Sequence, residues 1–325
     1  MIHLKELSTK TNGFDLSRIG LGTMRLAADQ QAGVDTIHAA LDAGVNFLNT
    51  ADFYGHGISE MIIKEALKSR RREDVFISVK FGGLISPNGK FYGIDSRPEH
   101  VKSFLAYTLK RLGTDYVDLY QPARIDPHIP VEDTIGAVAD MVKAGYVKSI
   151  GISEVDGATL RKANAVHPIS LVEVRYSLMD RHIEDDLLPT ARELGVGVVG
   201  FAVLLAGLIG GSAQQQKLST MRHLSSSALT NINNNLTATE GLQAIAREKG
   251  ITLAQLAIAW VLAQGDDIIA LVGSRTVDQI NDSLKAIHVN LTKNDLERME
   301  QLIPKAQATS SYMLDMNLDK NGLFI

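Results

Sequence analysis

Apolar positions along the chain keep changing period. Stretches at helical spacing are followed, repeatedly, by short unbroken apolar runs. Val34, Ile37, Ala40 and Leu41 mark one face of a helix, and Val45–Leu48 follows as a strand. Met61, Ile62, Ala66 and Leu67 precede the strand Val75–Val79, and Val101, Leu105, Leu109 and Leu112 precede Tyr116–Tyr120. Ile135, Val138 and Met141 lead to Val147–Ile152. A short helix over 157–165 leads to Leu171–Val174. Leu187, Ala191 and Leu194 lead to Val196–Phe201, with Pro189 limiting where that helix becomes regular. The closing units are less even: helices near 238–248 and 252–263, a strand Ile268–Val272 and a helix from Thr276. Ahead of the series, Ile19–Thr23 reads as a small first strand, and residues 3–16 as a hairpin turning at Thr11-Asn12-Gly13.

Gly44, Gly113, Gly145 and Gly195 each fall between a helical stripe and the next strand. Glycine accepts the left-handed conformation that ends a helix. Repeated helix–glycine–strand junctions predict an α/β fold, a closed (β/α)8 TIM barrel with an N-terminal hairpin and a C-terminal tail, in one domain over 1–325. An open doubly wound sheet is the alternative, but Gly20-x-Gly22 does not continue into a dinucleotide fingerprint. Ser96-x-x-Glu99 with Pro98 predicts a capping box, and so does Thr276-x-x-Gln279. Residues 212–236 are rich in Ser, Gln and Asn and are expected to form a polar loop over the C-terminal face. One more helix is expected at about 293–303, then an irregular end.

Charge narrows the partners. The net charge is −4, so no basic footprint for nucleic acid exists. The chain has no cysteine, which excludes thiolate nucleophiles and Cys-ligated zinc, and no metal is expected. No window holds 18 successive apolar residues, and the first ten residues lack the apolar core of a signal peptide. A cytoplasmic location is the default expectation; composition leaves the oligomeric state open.

A barrel gathers the C-terminal ends of its strands on one face, where such enzymes keep their chemistry. Those ends carry Thr23 and Met24, Asn49 to Tyr54, Lys80, Gln121 to Arg124, Ser153 and Glu154, Glu173 to Tyr176, Phe201 to Gly207, and Gly273 to Thr276. Tyr54 and Lys80 would stand on neighbouring strands. An ammonium beside a phenol stabilises the phenolate, which suits the tyrosine to protonating a carbonyl oxygen. Gly273-Ser274-Arg275 at a helix start offers free amides and a guanidinium to a phosphate.

Several segments together resemble the aldo-keto reductase family. They are Leu21–Arg25, Asn49-Thr-Ala-Asp-Phe-Tyr54-Gly55, Ser78–Gly82, Arg111–Gln121, Val142–Val147, Ile150–Ser153, Arg175–Leu178 and Gly273–Arg275. The resemblance implies a barrel that reduces aldehydes or ketones with NADP(H), the cofactor lying extended across the strand ends. It implies catalytic roles for Tyr54, Lys80 and Asn49. It assigns cofactor binding to Gly22, Thr23, Met24, Ser153, Glu173, Phe201, Leu204, Gly207, Gly273, Ser274, Arg275, Gln279 and Asp282.

The chain departs from the family pattern at informative places. Asn49 stands where an aspartate is usual, and Ala123 where a histidine is usual. Glu154 and Glu173 replace the asparagine and glutamine expected to hold the nicotinamide carboxamide. On this reading Asn49 can still hydrogen-bond Lys80 but contributes no counter-charge. Asp52 and His56 are the nearby candidates for compensation. Small-molecule carbonyl reduction is the expected activity, with pyridoxal as one substrate because an Ala-Arg pair also resembles pyridoxal reductases. The alternative is a catalytically weak nicotinamide-binding sensor.

Overall fold

A computed structural model describes residues 8–11, 13–204, 238–308 and Leu323. The expected polar loop at 212–236, Gly207 and the first residues of the expected hairpin lie outside the described residues. Strands β1 (Ser8–Thr11) and β2 (Phe14–Ser17) pair antiparallel, Thr11 opposite Phe14, with Gly13 in the turn at φ 85°. Eight parallel strands then close into a barrel: β3 (Ile19–Gly22), β4 (Phe47–Ala51), β5 (Phe76–Phe81), β8 (Val117–Pro122), β9 (Val147–Ser153), β10 (Ile169–Arg175), β11 (Gly197–Phe201) and β12 (Ile268–Gly273). Around them lie α1 (Gln30–Asp42), α2 (Ile58–Leu67), α3 (Pro98–Leu112), α4 (Val131–Lys143), α5 (Gly157–Val166) and α6 (Leu187–Leu194). The ring continues with α7 over 238–248, α8 (Leu253–Leu262), α9 (Val277–Leu284) and α10 (Lys293–Leu302). This is the (β/α)8 barrel that the alternating periods predict. Among the described residues no helix is long and apolar enough to cross a membrane.

The alternation of side chains along each strand splits the core in two. One set, including Leu48, Ile77, Val79, Ile150 and Val172, faces the helices. The other set fills the barrel: Phe47, Phe76, Leu119, Leu171, Val199, Ile269 and Leu271, with Leu16 of the hairpin packed among them. Phe47 and Phe76 are the first residues of β4 and β5, so this plug closes the N-terminal end. Asn46 fastens the hairpin there, accepting from Ser17 N at 2.8 Å and donating to Asp15 O at 2.7 Å. The apolar plug leaves the opposite, C-terminal end to polar side chains.

Two features differ from expectation. After β5 the chain forms an unforeseen antiparallel hairpin, β6 (Gly83–Ile85) and β7 (Phe91–Ile94). Gly82 starts it at φ 83°, where any Cβ would meet Asp95 O at 2.2 Å, so only glycine fits. Phe91 of this hairpin packs on Phe53 with ring centroids 5.7 Å apart, beside Tyr54, and Gly93 bridges Leu323 of the tail. The second difference is at α3. The helix begins after Arg97, which makes no side-chain cap, and Ser96 Oγ accepts from Asp126 N at 3.1 Å instead. Ser96 therefore ties two loops together rather than closing a capping box.

Candidate active site

Adjacent strands β4 and β5 set the geometry, with Asn49 level with Ser78 and Ala51 level with Lys80. On the other side of β5, Ser78 is level with Leu119 and Lys80 with Gln121 of β8. Asn49, Ser78, Lys80 and Gln121 all point into the barrel above the apolar plug, where Glu173 of β10 meets them. The Lys80 ammonium donates to Asn49 Oδ1 at 2.6 Å and to Glu173 Oε1 at 2.7 Å. Glu173 Oε2 accepts from Asn49 Nδ2 at 2.7 Å and from Gln121 Nε2 at 2.6 Å. The same two amides also donate to Ser78 Oγ, at 3.2 and 3.3 Å. The carboxylate fixes their orientation, because a flipped amide would set oxygen against oxygen. Lys80 and Glu173 expose 6% and 4% of their side chains, so this is a buried ion pair.

Asn49 supplies Lys80 with a neutral oxygen and no charge. The counter-charge comes from Glu173, across the barrel. Burial pulls the Lys80 ammonium down, but the Glu173 carboxylate and then the Tyr54 phenol outweigh it, and Lys80 holds its proton above its ordinary range. Its Nζ lies 5.2 Å from the centre of the Tyr54 ring. The pairing of β4 with β5 brings tyrosine and lysine together as expected. Tyr54 stands at the start of a short turn in which Gly55, His56 and Gly57 all have positive φ.

Neither compensating candidate reaches Lys80. His56 is exposed, and its Nε2 lies 3.1 Å from Ser86 O in the β6–β7 turn. Asp52 turns behind the strand end, where its Oδ2 accepts from Gly82 N at 3.3 Å. Burial pushes the Asp52 carboxyl up to about 7, only partly offset by that amide, with Glu60 raising it further. The sign follows. A carboxyl raised above its unfolded value binds more protons folded than unfolded between about pH 4 and 7. Its contribution is thus largest in acid and is lost as pH rises to 7. Asp52→Asn is expected to remove this loss and to stabilise the protein at pH 8 by about 2 kcal/mol, after discounting for partial exposure. Urea unfolding of both proteins from pH 5 to 8 checks it; parallel curves would refute it.

Ala123 is buried at the end of β8, its N–H bonded to Phe81 O at 2.8 Å. Beside it Arg124 turns inward. It donates to Ala123 O at 2.6 Å and reaches Ser153 Oγ at 3.4 Å, and Glu154 lies 3.7 Å from its Nη2. Glu154 itself holds Arg175 through Nε at 2.9 Å.

The remaining described candidates stand at strand ends or on α9. Thr23 Oγ1 donates to Asn49 O at 2.9 Å, Gly22 ends β3, and Met24 is exposed beside them. Ser153 is buried at the end of β9; Phe201, which ends β11, and Leu204 just beyond it are half-buried. Gly273 ends β12 and leads to α9, where Thr276 accepts from Gln279 N at 3.3 Å. The second half of that expected capping box differs: Gln279 Oε1 takes the N–H of Arg275, at 2.9 Å. Ser274 Oγ is buried and has no hydrogen-bond partner among the described residues. Asp282 joins α9 to α8, accepting from Gln255 Nε2 at 2.7 Å and Thr252 Oγ1 at 3.0 Å.

The aldo/keto reductase family model matches residues 18–304. The chain belongs to the aldo/keto reductase family. A probable aldo-keto reductase of Glycine max is 35% identical over 303 residues, which cover 90% of this chain and 87% of that one. Among solved structures, the glycerol dehydrogenase of Gluconobacter oxydans superposes with a TM-score of 0.81 at 26% identity, over 91% of this chain and 94% of that one. A thermostable aldo-keto reductase in complex with the inhibitor epalrestat gives 0.74 at 29% identity, over 90% and 98%. This reductase is thus an oxidoreductase of carbonyl compounds built on the family's barrel. Sequence reasoning missed the use of Ser78 and Gln121 as neighbours of the buried carboxylate. The signal was available, since Ser78 and Lys80 are polar at alternate, inward positions of one strand.

Proposed function

We propose that this aldo/keto reductase converts an aldehyde or ketone to the alcohol with NADPH, Tyr54 giving the proton. The observation that carries the reading is the Lys80 ammonium, fixed by Asn49 and Glu173 and 5.2 Å from the Tyr54 ring centre. A fixed cation beside the phenol stabilises the phenolate left after proton transfer. It is already desolvated, so no water must be reorganised during the step. Alanine at 123 offers no bulk or polar group where the family usually has a histidine, which suits a bulky or aromatic carbonyl compound such as pyridoxal.

The residues present fit a nicotinamide dinucleotide. Ser274 offers a buried, unspent hydroxyl where β12 meets α9, and the first turn of α9 presents free amides. Arg275 is the group suited to a 2′-phosphate. Gly22, Thr23, Met24, Leu204, Gln279 and Asp282 would border the dinucleotide, Ser153 and Glu173 the carboxamide, and Phe201 the ring face. The nicotinamide, when bound, supplies the hydride. The intact tyrosine–lysine pair and its restored carboxylate favour an enzyme over a weak cofactor-binding sensor.

The decisive experiment follows NADPH oxidation with pyridoxal, aromatic and aliphatic aldehydes and ketones, and the reverse reaction with glycerol, on which a structural relative's name bears. Saturable turnover of at least one carbonyl is expected. In fluorescence titrations NADPH should bind more tightly than NADH. Arg275→Ala should weaken NADPH about tenfold and leave NADH unchanged. Cofactor binding without turnover of any carbonyl would overturn the proposal.

A further inference from the structure

We infer that Glu173 is the residue that positions Lys80, and that Asn49 and Glu173 form a transposed pair in which carboxylate and amide can exchange places. This rests on the reading of Tyr54 and Lys80 as the proton-transfer machinery. Asn49 and Glu173 stand on β4 and β10, on either side of the Lys80 ammonium. Each gives it one oxygen, at 2.6 and 2.7 Å. They also meet each other, Asn49 Nδ2 donating to Glu173 Oε2 at 2.7 Å. The unit therefore needs one carboxylate, one amide and one ammonium. For the negative charge to sit on β4 instead, only Gln121 must turn its amide over and present its unpartnered Oε1 to the amide at 173. With aspartate at 49 and glutamine at 173, the amide would donate from the other side, and Lys80 would keep one charged and one neutral oxygen.

The surroundings say why one negative charge is needed, neither none nor two. Lys80 is buried, and an uncompensated ammonium there is costly. Two carboxylates at the Asn49–Glu173 separation would repel. Tyr54 faces Lys80 from the loop after β4, and Arg124 at the end of β8 also feels the Glu173 charge. Glu173 already takes three donors: Lys80, Asn49 and Gln121. A carboxylate has about four acceptor sites, so little of it is free for another partner. Glu173 is thus turned mainly toward Lys80, and only secondarily toward a nicotinamide carboxamide.

The test is a four-protein cycle: wild type, Glu173→Gln, Asn49→Asp and the double variant. Three properties are measured, the melting temperature without cofactor, kcat with the best carbonyl substrate, and the pH profile of kcat. Glu173→Gln should lower kcat about 10²-fold, melt about 5–10 °C lower, and shift the alkaline limb of its profile to lower pH. Asn49→Asp should also lose on both counts. The double variant should return to within about tenfold of wild-type kcat, with the alkaline limb and most of the melting temperature restored. Losses that add in the double variant would overturn the inference. So would a recovered melting temperature with kcat and pH profile still displaced, which would leave Glu173 a purely structural role. If Glu173→Gln does not fold, the double variant against wild type decides. If wild type reduces no carbonyl, the functional reading fails and the melting cycle alone judges the pair. If wild type is active and the cycle is additive, only the transposition fails.

Discussion

Tyr54→Phe is expected to lower kcat by about 10³–10⁴ while leaving NADPH affinity within a factor of about three. The substitution removes one hydroxyl and little else. The phenylalanine ring keeps the edge contact with Phe53, whose centroid lies 5.1 Å away, and keeps the covering of Lys80. The turn that carries residue 54 is shaped by Gly55, His56 and Gly57, not by the hydroxyl. Melting temperature should therefore stay within about 2 °C of wild type. On the proposed mechanism, what disappears is the proton that Tyr54 would deliver to the carbonyl oxygen. Positioned acid–base groups contribute about 10²–10⁴-fold, and among the described residues Ala123 stands at the histidine position while His56 turns away to Ser86. Single-turnover kinetics on preformed enzyme–NADPH complex isolate that step. Equal rates for wild type and variant would remove Tyr54 from the mechanism.

The barrel was legible because its physics is local. Helical stripes, glycines that end helices and apolar strands follow from neighbours in sequence. The four junction glycines have φ of 94°, 67°, 85° and 70°. The tyrosine–lysine pair was legible once strand order was assumed, since β4 and β5 follow each other. Glu173 was harder to read, because its partner Lys80 is 93 residues away and two barrel strands, β8 and β9, intervene. Reading each position against a pattern gave Asn49 as a loss and Glu173 as a curiosity of the carboxamide. Only their meeting in space turns two departures into one exchange. The β6–β7 hairpin was missed for a different reason. Its strands are short, and Asn88-Gly89 between apolar residues was a turn signal hidden by the stronger barrel rhythm. Ser96 shows the limit of capping signatures, because a serine at the right spacing is free to serve a distant loop.

Lys80→Met separates the two jobs of the ammonium. The substitution keeps the length and apolar stem of the side chain and removes the charge. Glu173 then remains buried with only the amides of Asn49 and Gln121. Breaking a buried ion pair by removing one partner costs about 3–5 kcal/mol, because the other charge is left uncompensated. The variant should therefore melt roughly 6–12 °C lower. In wild type, the folded Lys80 holds its proton above the ordinary value of 10.5. Its contribution is thus complete below that pH and is lost only as pH rises through the higher folded value, so neutral buffers report it in full. Catalysis should fall by about 10²–10³, since the phenolate left by proton transfer has no cation beside it. Adding Glu173→Gln removes the stranded carboxylate. The double variant Lys80→Met/Glu173→Gln is expected to recover most of the melting temperature and none of the rate. Stability without activity is the signature of a lysine needed by Tyr54 and not merely by the fold. A double variant that regained turnover would show that Lys80 serves only to neutralise Glu173.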